Sequence, residues 1–183
     1  MRRVLIIWLS ATAFSGCQSQ QEKLAINETL FEAGVSKGVL STKVMSEASG
    51  LTESTNNPNF LWTHNDSGDK ARIFLIDTMA RLKATVWFAD VDQRDWEDMA
   101  SGPGPKDGKN YIYVGDIGDN NAKHKYKLIY RIEEPVIDLT HSDTTLNSID
   151  RIKFELPDGS RDSESIMVDP LTRDIYIISK REE

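Results

Sequence analysis

Three glutamates of this chain, Glu47, Glu97 and Glu164, each stand just ahead of a run of strand-forming residues. Carboxylates that converge from such positions repel one another, and some stay protonated unless a cation neutralises them. Calcium suits a site of that kind, because it takes about six to eight oxygen ligands in flexible geometry. Around the first two glutamates the chain repeats at a constant spacing of fifty residues: Glu47 with Glu97, Asp66 with Asp116, Gly68 with Gly118, and Asp69 with Asp119. The repeated Asp-x-Gly-Asp turns and their neighbours supply further oxygens, so the candidate metal ligands are Glu47, Asn65, Asp66, Glu97, Asp116, Asp119 and Glu164. A second reading needs no ligand. Each glutamate then bonds backbone amides of the neighbouring unit, and each turn is a tight hairpin whose glycine permits positive φ and whose first aspartate bonds an amide two residues on. Asp66-Ser67-Gly68-Asp69 lacks the alternating acids and terminal Glu of an EF-hand loop, which excludes a calcium loop of that type.

Other chemistry is sparse. His64, beside Asn65 and Asp66, is either a general base or a hydrogen-bonded residue ending a strand. His64, His124 and His141 have no ligand spacing and Cys17 is the only cysteine, which excludes a transition-metal cage and an intramolecular disulfide. Residues Gly102 to Asn110 imitate a phosphate loop, but the glycine spacing is wrong, Asn110 replaces the Ser or Thr, and Pro103 and Pro105 remove amides that would cradle phosphate. Ser49-Gly50 does not make a nucleophile elbow. No triad or dyad emerges, so the catalytic residues are unknown and the sequence leaves open whether the protein is an enzyme.

The elements that would position these acids are strands. Candidate segments are Ser49–Ser54, Phe60–His64, Arg72–Asp77 and Leu82–Phe88, then Trp96–Ala100, Asn110–Gly115, Leu128–Glu133 and Ser148–Leu156, then Glu164–Asp169 and Asp174–Ser179. Between them stand turn signals such as Asn56-Asn57-Pro58-Asn59, Asp107-Gly108 and Pro157-Asp158-Gly159. No helical stripe appears, and the polar stretch Asp138 to Asn147 reads as a long loop. Short strands repeating at a period of forty to fifty residues indicate an all-β fold of the β-propeller kind. Trp62, Trp87 and Trp96 then pack one blade on the next. Four strands, four strands and two strands make about two and a half blades, whereas closed propellers have roughly four to eight. The expectation is therefore a partial propeller, the first part of a longer design; a self-closing antiparallel sandwich is the rival.

The N-terminus gives a location. Arg2 and Arg3 precede an apolar stretch, Val4 to Gly16, too short to span a bilayer at about twenty residues. It ends in Phe14-Ser15-Gly16-Cys17, which resembles a bacterial lipobox with Phe14 in place of the usual aliphatic residue. The resemblance implies cleavage before Cys17 and acylation there, and more than one acyl chain holds stably. Gln18 resembles the residue that follows the cysteine in outer-membrane lipoproteins. The expected organisation is a signal peptide at 1–16, a lipid-anchored tether at 17–38 and the β domain at 39–183. The expected location is the bacterial envelope, at the outer membrane facing the periplasm or at the cell surface. Removing the signal takes away two of the 22 Lys and Arg and none of the 29 Asp and Glu, so the net charge moves from −7 to −9. An acidic surface with no Lys/Arg run argues against a nucleic-acid partner.

Longer motifs carry a family resemblance. Ser49-Gly50-Leu51, Trp62-Thr63-His64-Asn65-Asp66-Ser67-Gly68-Asp69, Asp95-Trp96-Glu97-Asp98-Met99-Ala100 and Tyr113-Val114-Gly115-Asp116-Ile117-Gly118-Asp119-Asn120 resemble a group of uncharacterised secreted or lipid-anchored bacterial proteins. Tyr130-Arg131-Ile132, Glu134-Pro135 and Asp162-Ser163-Glu164 fit the same group. The resemblance implies a β-propeller longer than this chain and an envelope compartment, and carries no assigned activity. A fainter similarity is to calcium-dependent propeller hydrolases of the lactonase, phosphotriesterase and phytase kinds, and it lies at the level of fold. Three functions stay open: a non-catalytic module that binds a protein, glycan or small molecule; a calcium-dependent hydrolase of small esters, lactones or phosphoesters; or a non-functional remnant of either.

Overall fold

A computed structural model of the chain describes residues 33–41, 43–141 and 143–180. The expected signal peptide, Cys17 and most of the tether lie outside the described residues. Among the described residues the protein is all β, with eleven strands, no helix and therefore none long and apolar enough to cross a membrane. The ten expected strands all form, their ends displaced by three residues at most.

The first sheet is a meander of β1 (Ala48–Glu53), β2 (Phe60–Asn65), β3 (Arg72–Asp77) and β4 (Leu82–Phe88), each antiparallel to the last. Its turns follow from short polar side chains. Between β3 and β4 the Asp77 carboxylate accepts the amides of Met79 and Arg81, at 2.9 and 3.0 Å, and this bracing holds Ala80 at φ 62° without a glycine. The second sheet begins with β5 (Trp96–Pro103), β6 (Asn110–Asp116) and β7 (Lys127–Glu133). Residues 105–109, at the turn from β5 into β6, are exposed.

The stretch expected to be a loop is where the structure departs from the sequence reading. Asp143–Leu146 forms a further strand, β8, which pairs in parallel with Thr85–Phe88 and extends the first sheet to five strands. The chain then returns as β9 (Asp150–Phe154) to the edge of β7. β8 lies at a sheet edge and buries little beyond Leu146, so backbone pairing holds it and its polar composition hides it from a hydrophobicity pattern. The third sheet is the hairpin of β10 (Ser163–Val168) and β11 (Ile175–Ser179).

Strand alternation builds the core. Ile73 and Leu75 of β3 meet Ile112 and Val114 of β6 between the first two sheets, around the fully buried Trp62 and Trp96. Phe74 and Ile76, on the other face of β3, pack on Met45, Leu40 and Val44. Tyr111 and Tyr113 turn the other way from Ile112 and pack with Ile166, Val168, Ile175 and Ile177 of the third sheet. Trp62 and Trp96 thus pack between sheets as expected. Trp87 does not join them; it is half-buried, with the Arg72 guanidinium 4.9 Å from its ring centre.

The first strands of the three sheets adjoin, with β5 in contact with both β1 and β10. Ser49 Oγ donates to the Glu97 carbonyl (2.5 Å), Thr52 Oγ1 donates to Ser101 Oγ (2.9 Å), and the Ile166 amide donates to Asp98 Oδ2 (3.0 Å). Gly50 is required at this seam, because a Cβ there would overlap the backbone of Asp98 and Met99. The far end of β1 is fastened by Glu134, a buried carboxylate just beyond β7. It accepts from Ser54 Oγ (2.6 Å), Trp62 Nε1 (2.9 Å) and the Asn56 amide (3.1 Å).

Candidate functional site

The seam between first strands gathers carboxylates from all three sheets. One oxygen each from Asp66, Asp95 and Glu97 lie within 4.8 Å of one another, and the same holds for Glu97, Asp162 and Glu164. Glu97 belongs to both groups. Asp66 follows β2 in the first sheet, Asp95 and Glu97 flank the start of β5 in the second, and Asp162 and Glu164 flank the start of β10 in the third.

Local backbone irregularity sets these directions. The pairing of β5 with β6 shifts register between Trp96 and Asp98, and that of β10 with β11 shifts between Ser163 and Ser165. Glu97 and Glu164 sit at those irregularities, which re-aim a side chain out of regular strand alternation. Gly118 makes room for the acids, since a Cβ there would collide with the carboxylates of both Asp95 and Glu97. The Gly118 amide donates to the Asp95 carbonyl (3.2 Å) and fixes that approach. Gln93 tethers the first sheet to the second, its side-chain amide donating to the carbonyls of Asn65 and Asp66.

The electrostatics are those of crowded carboxylates. Burial pushes the Glu97 carboxyl up to about 8, with the carboxylates of Asp66, Glu164, Asp95 and Asp162 adding to the effect. Burial likewise raises Asp95, helped by Asp66, Asp162 and Asp116. Asp162 is 5% exposed; its Oδ1 accepts the Asp119 amide at 2.7 Å, while Oδ2 receives no hydrogen bond. A group of carboxylates that keeps its acids close and partly protonated can take up a hard, oxygen-seeking cation on losing those protons.

Of the acids the sequence singles out, the structure brings Asp66 and Glu164 each beside Glu97 and leaves Glu47, Asp116 and Asp119 outside both groups. Glu47 is exposed ahead of β1, and its carbonyl accepts the Asp66 amide at 2.8 Å. Asn65 is a brace, accepting the Glu47 amide and donating to the Val44 carbonyl and to Asp69. Asp116 is buried and paired with Arg94 at 3.1 Å; burial raises its pKa against the pull of that guanidinium. Asp119 forms a buried ion pair with Lys127 (3.1 Å) and accepts the amides of Lys123 and His124 (both 2.8 Å); burial opposes ionisation, yet these bonds hold its pKa below the usual range. His64 is fully buried, edge-on to Trp96, with Nδ1 2.7 Å from the Asn65 carbonyl; burial lowers its pKa and keeps the ring neutral. It is a structural residue, not an accessible base.

Asp95 and Asp162 escape the repeat-based reading. The signal that finds them is the doublet Asp-x-Glu, present as Asp95-Trp96-Glu97 and Asp162-Ser163-Glu164 and broken in the first repeat, where Met45 replaces the aspartate and is buried in the core. No family model, curated protein or solved structure matches this chain. A concavity lined by Lys106, Tyr111, Arg131, Glu133 and Asp150 shares no residue with the acidic cluster, and its charges pair among themselves, Lys106 with Glu133 and Arg131 with Asp150, each at 2.9 Å.

Proposed function

We propose that this protein is a lipid-anchored protein of the bacterial envelope, built from β-propeller blades, that binds calcium through Asp66, Asp95, Glu97, Asp162 and Glu164 and acts as a non-catalytic binding or scaffold module. The observation that carries the cation reading is the delivery of carboxylates by three separate sheets to one place, with Glu97 common to two groups. Blade architecture is supported by the adjacent first strands β1, β5 and β10, each pairing antiparallel with the next strand of its own sheet. Sheets joined this way bring the starts of their first strands together, and the acids there are Asp66 just past β2 in the first sheet and the Asp-x-Glu pairs of the other two. Calcium fits the donor set because every ligand is a carboxylate oxygen and neither group contains His or Cys. A calcium-dependent hydrolase of small esters, lactones or phosphoesters is the second reading, favoured by an acid held near neutral pH as proton-transfer chemistry requires.

The purified full chain, titrated calorimetrically with calcium chloride, is expected to show saturable binding and to melt higher in millimolar calcium than in chelator, because a ligand bound only to the native state stabilises it. Absence of both effects overturns the cation reading. For the anchor, wild type is expected in the membrane fraction of expressing bacteria, and Cys17→Ser in the soluble fraction. Identical distribution of the two would remove the anchor from the proposal.

A further inference from the structure

We infer that the Lys180 ammonium is a built-in cation, holding at Asp162 and Glu164 a position that a second calcium ion would otherwise take. The inference rests on reading the acidic cluster as a cation site, and it concerns how many ions that site accepts. Lys180 Nζ lies 2.6 Å from Glu164 Oε1 and 3.9 Å from Asp162 Oδ2. Its backbone is pinned as well, the Lys180 amide donating to the Asp162 carbonyl at 2.9 Å. Asp162 Oδ2 receives no hydrogen bond, although its residue is 95% buried by its 5% exposure, so the loose approach of the ammonium leaves this oxygen open to a closer cation.

Backbone bonding at the head of each sheet adds a second argument. An amide just past the second strand donates to the carbonyl of the residue before the first: Asp66 to Glu47, Gly118 to Asp95 and Lys180 to Asp162. Lysine thus stands where the first sheet presents an aspartate and the second a glycine. Only the group of Asp66, Asp95 and Glu97 has no ion pair to Lys or Arg among those of the described residues, which leaves it as the position for an exogenous ion. A cation at each group would share Glu97, and a lysine already at one of them limits the native chain to a single ion.

The test compares calcium stoichiometry of full-length wild type, Lys180→Met and Lys180→Arg by calorimetry and by equilibrium dialysis, with far-UV circular dichroism to establish that each is folded. Lys180→Met keeps an unbranched side chain, one atom shorter, and removes its charge, and is expected to bind one calcium ion more per chain than wild type. Lys180→Arg keeps a cation in place and is expected to match wild type. Equal stoichiometry in wild type and Lys180→Met overturns the inference while leaving calcium binding by the native chain intact. No binding by wild type with one ion in Lys180→Met supports the inference and overturns calcium binding by the native chain. No binding by either overturns both. A lower melting temperature in Lys180→Met with unchanged stoichiometry assigns Lys180 a structural role and counts against the inference.

Discussion

In chelator, the melting temperature of this protein is expected to fall as pH rises from about 5 to about 9, and calcium is expected to restore more of it at each step. The sign comes from Glu97. Its carboxyl is raised from 4.5 to about 8 in the folded state, mainly by burial and further by Asp66, Glu164, Asp95 and Asp162. Between those values the native state holds a proton that the unfolded chain has released, so stability falls with rising pH throughout that interval. The contribution is fully present below pH 4.5 and is lost as pH passes through about 8. Calcium is expected to reverse the dependence, the ion taking the place of the proton. Its apparent affinity is expected to rise up to about tenfold per pH unit between pH 6 and 8 and to level off above, as one proton is displaced. Glu97→Gln keeps the shape and cannot ionise. It is expected to flatten the pH dependence in chelator, to melt higher than wild type at pH 9, and to weaken calcium binding roughly a hundredfold through the loss of a shared carboxylate ligand. A Glu97→Gln protein that unfolds with or without calcium would make Glu97 a packing residue, and an unchanged affinity would place the ion elsewhere.

The strands were legible because this chain marks its turns. Asn56-Asn57-Pro58-Asn59 and Asp107-Gly108 end one strand and start the next through local side-chain and φ preferences, which need no tertiary information. β8 was not legible, because an edge strand held by backbone pairing to β4 needs no apolar pattern. The acids divide along the same line. Glu97 and Glu164 stand out as acids at strand starts, and both reach the cluster. Glu47 shares the fifty-residue register with Glu97 but not its Asp-x-Glu doublet, and lies exposed ahead of its strand. Asp116 and Asp119 look equivalent to Asp66 and Asp69 in sequence. Their fates are set by Arg94 and Lys127, and a repeat register does not report which acid a basic side chain will reach.

Glu134 is expected to dominate the stability of the first two sheets, although the sequence marks it only as part of a Glu-Pro pair. Its carboxylate lies at the opposite end of β1 from the acidic cluster and serves donors from Ser54, Asn56 and Trp62, while Asn56 Nδ2 donates back to the Glu134 carbonyl at 2.7 Å. Asn57 extends the knot by donating to the Pro135 carbonyl (2.9 Å) and accepting the Ile137 amide (2.8 Å). Glu134→Ala strands three donors in a site too buried for water to replace the carboxylate freely. An unpaired buried donor costs about 1–3 kcal/mol, so three stranded together, each toward the low end of that range, cost about 3–5 kcal/mol. For a chain of this size that corresponds to a melting temperature lower by roughly 8–15 °C. Glu134→Gln separates the two oxygens. Ser54 and Trp62 both donate to Oε1 and keep their acceptor in the amide, whereas the Asn56 amide, bonded to Oε2, would face an NH2 group. Its loss is therefore expected to be the smaller, about 1–2 kcal/mol. Calcium stoichiometry, measured well below the melting transition, is expected to be unchanged in both variants, because the knot and the carboxylates occupy opposite ends of the same strand. A shift of less than about 1 kcal/mol in Glu134→Ala would mean that the donors find other acceptors and that apolar packing around Trp62 and Trp96 alone joins the two sheets.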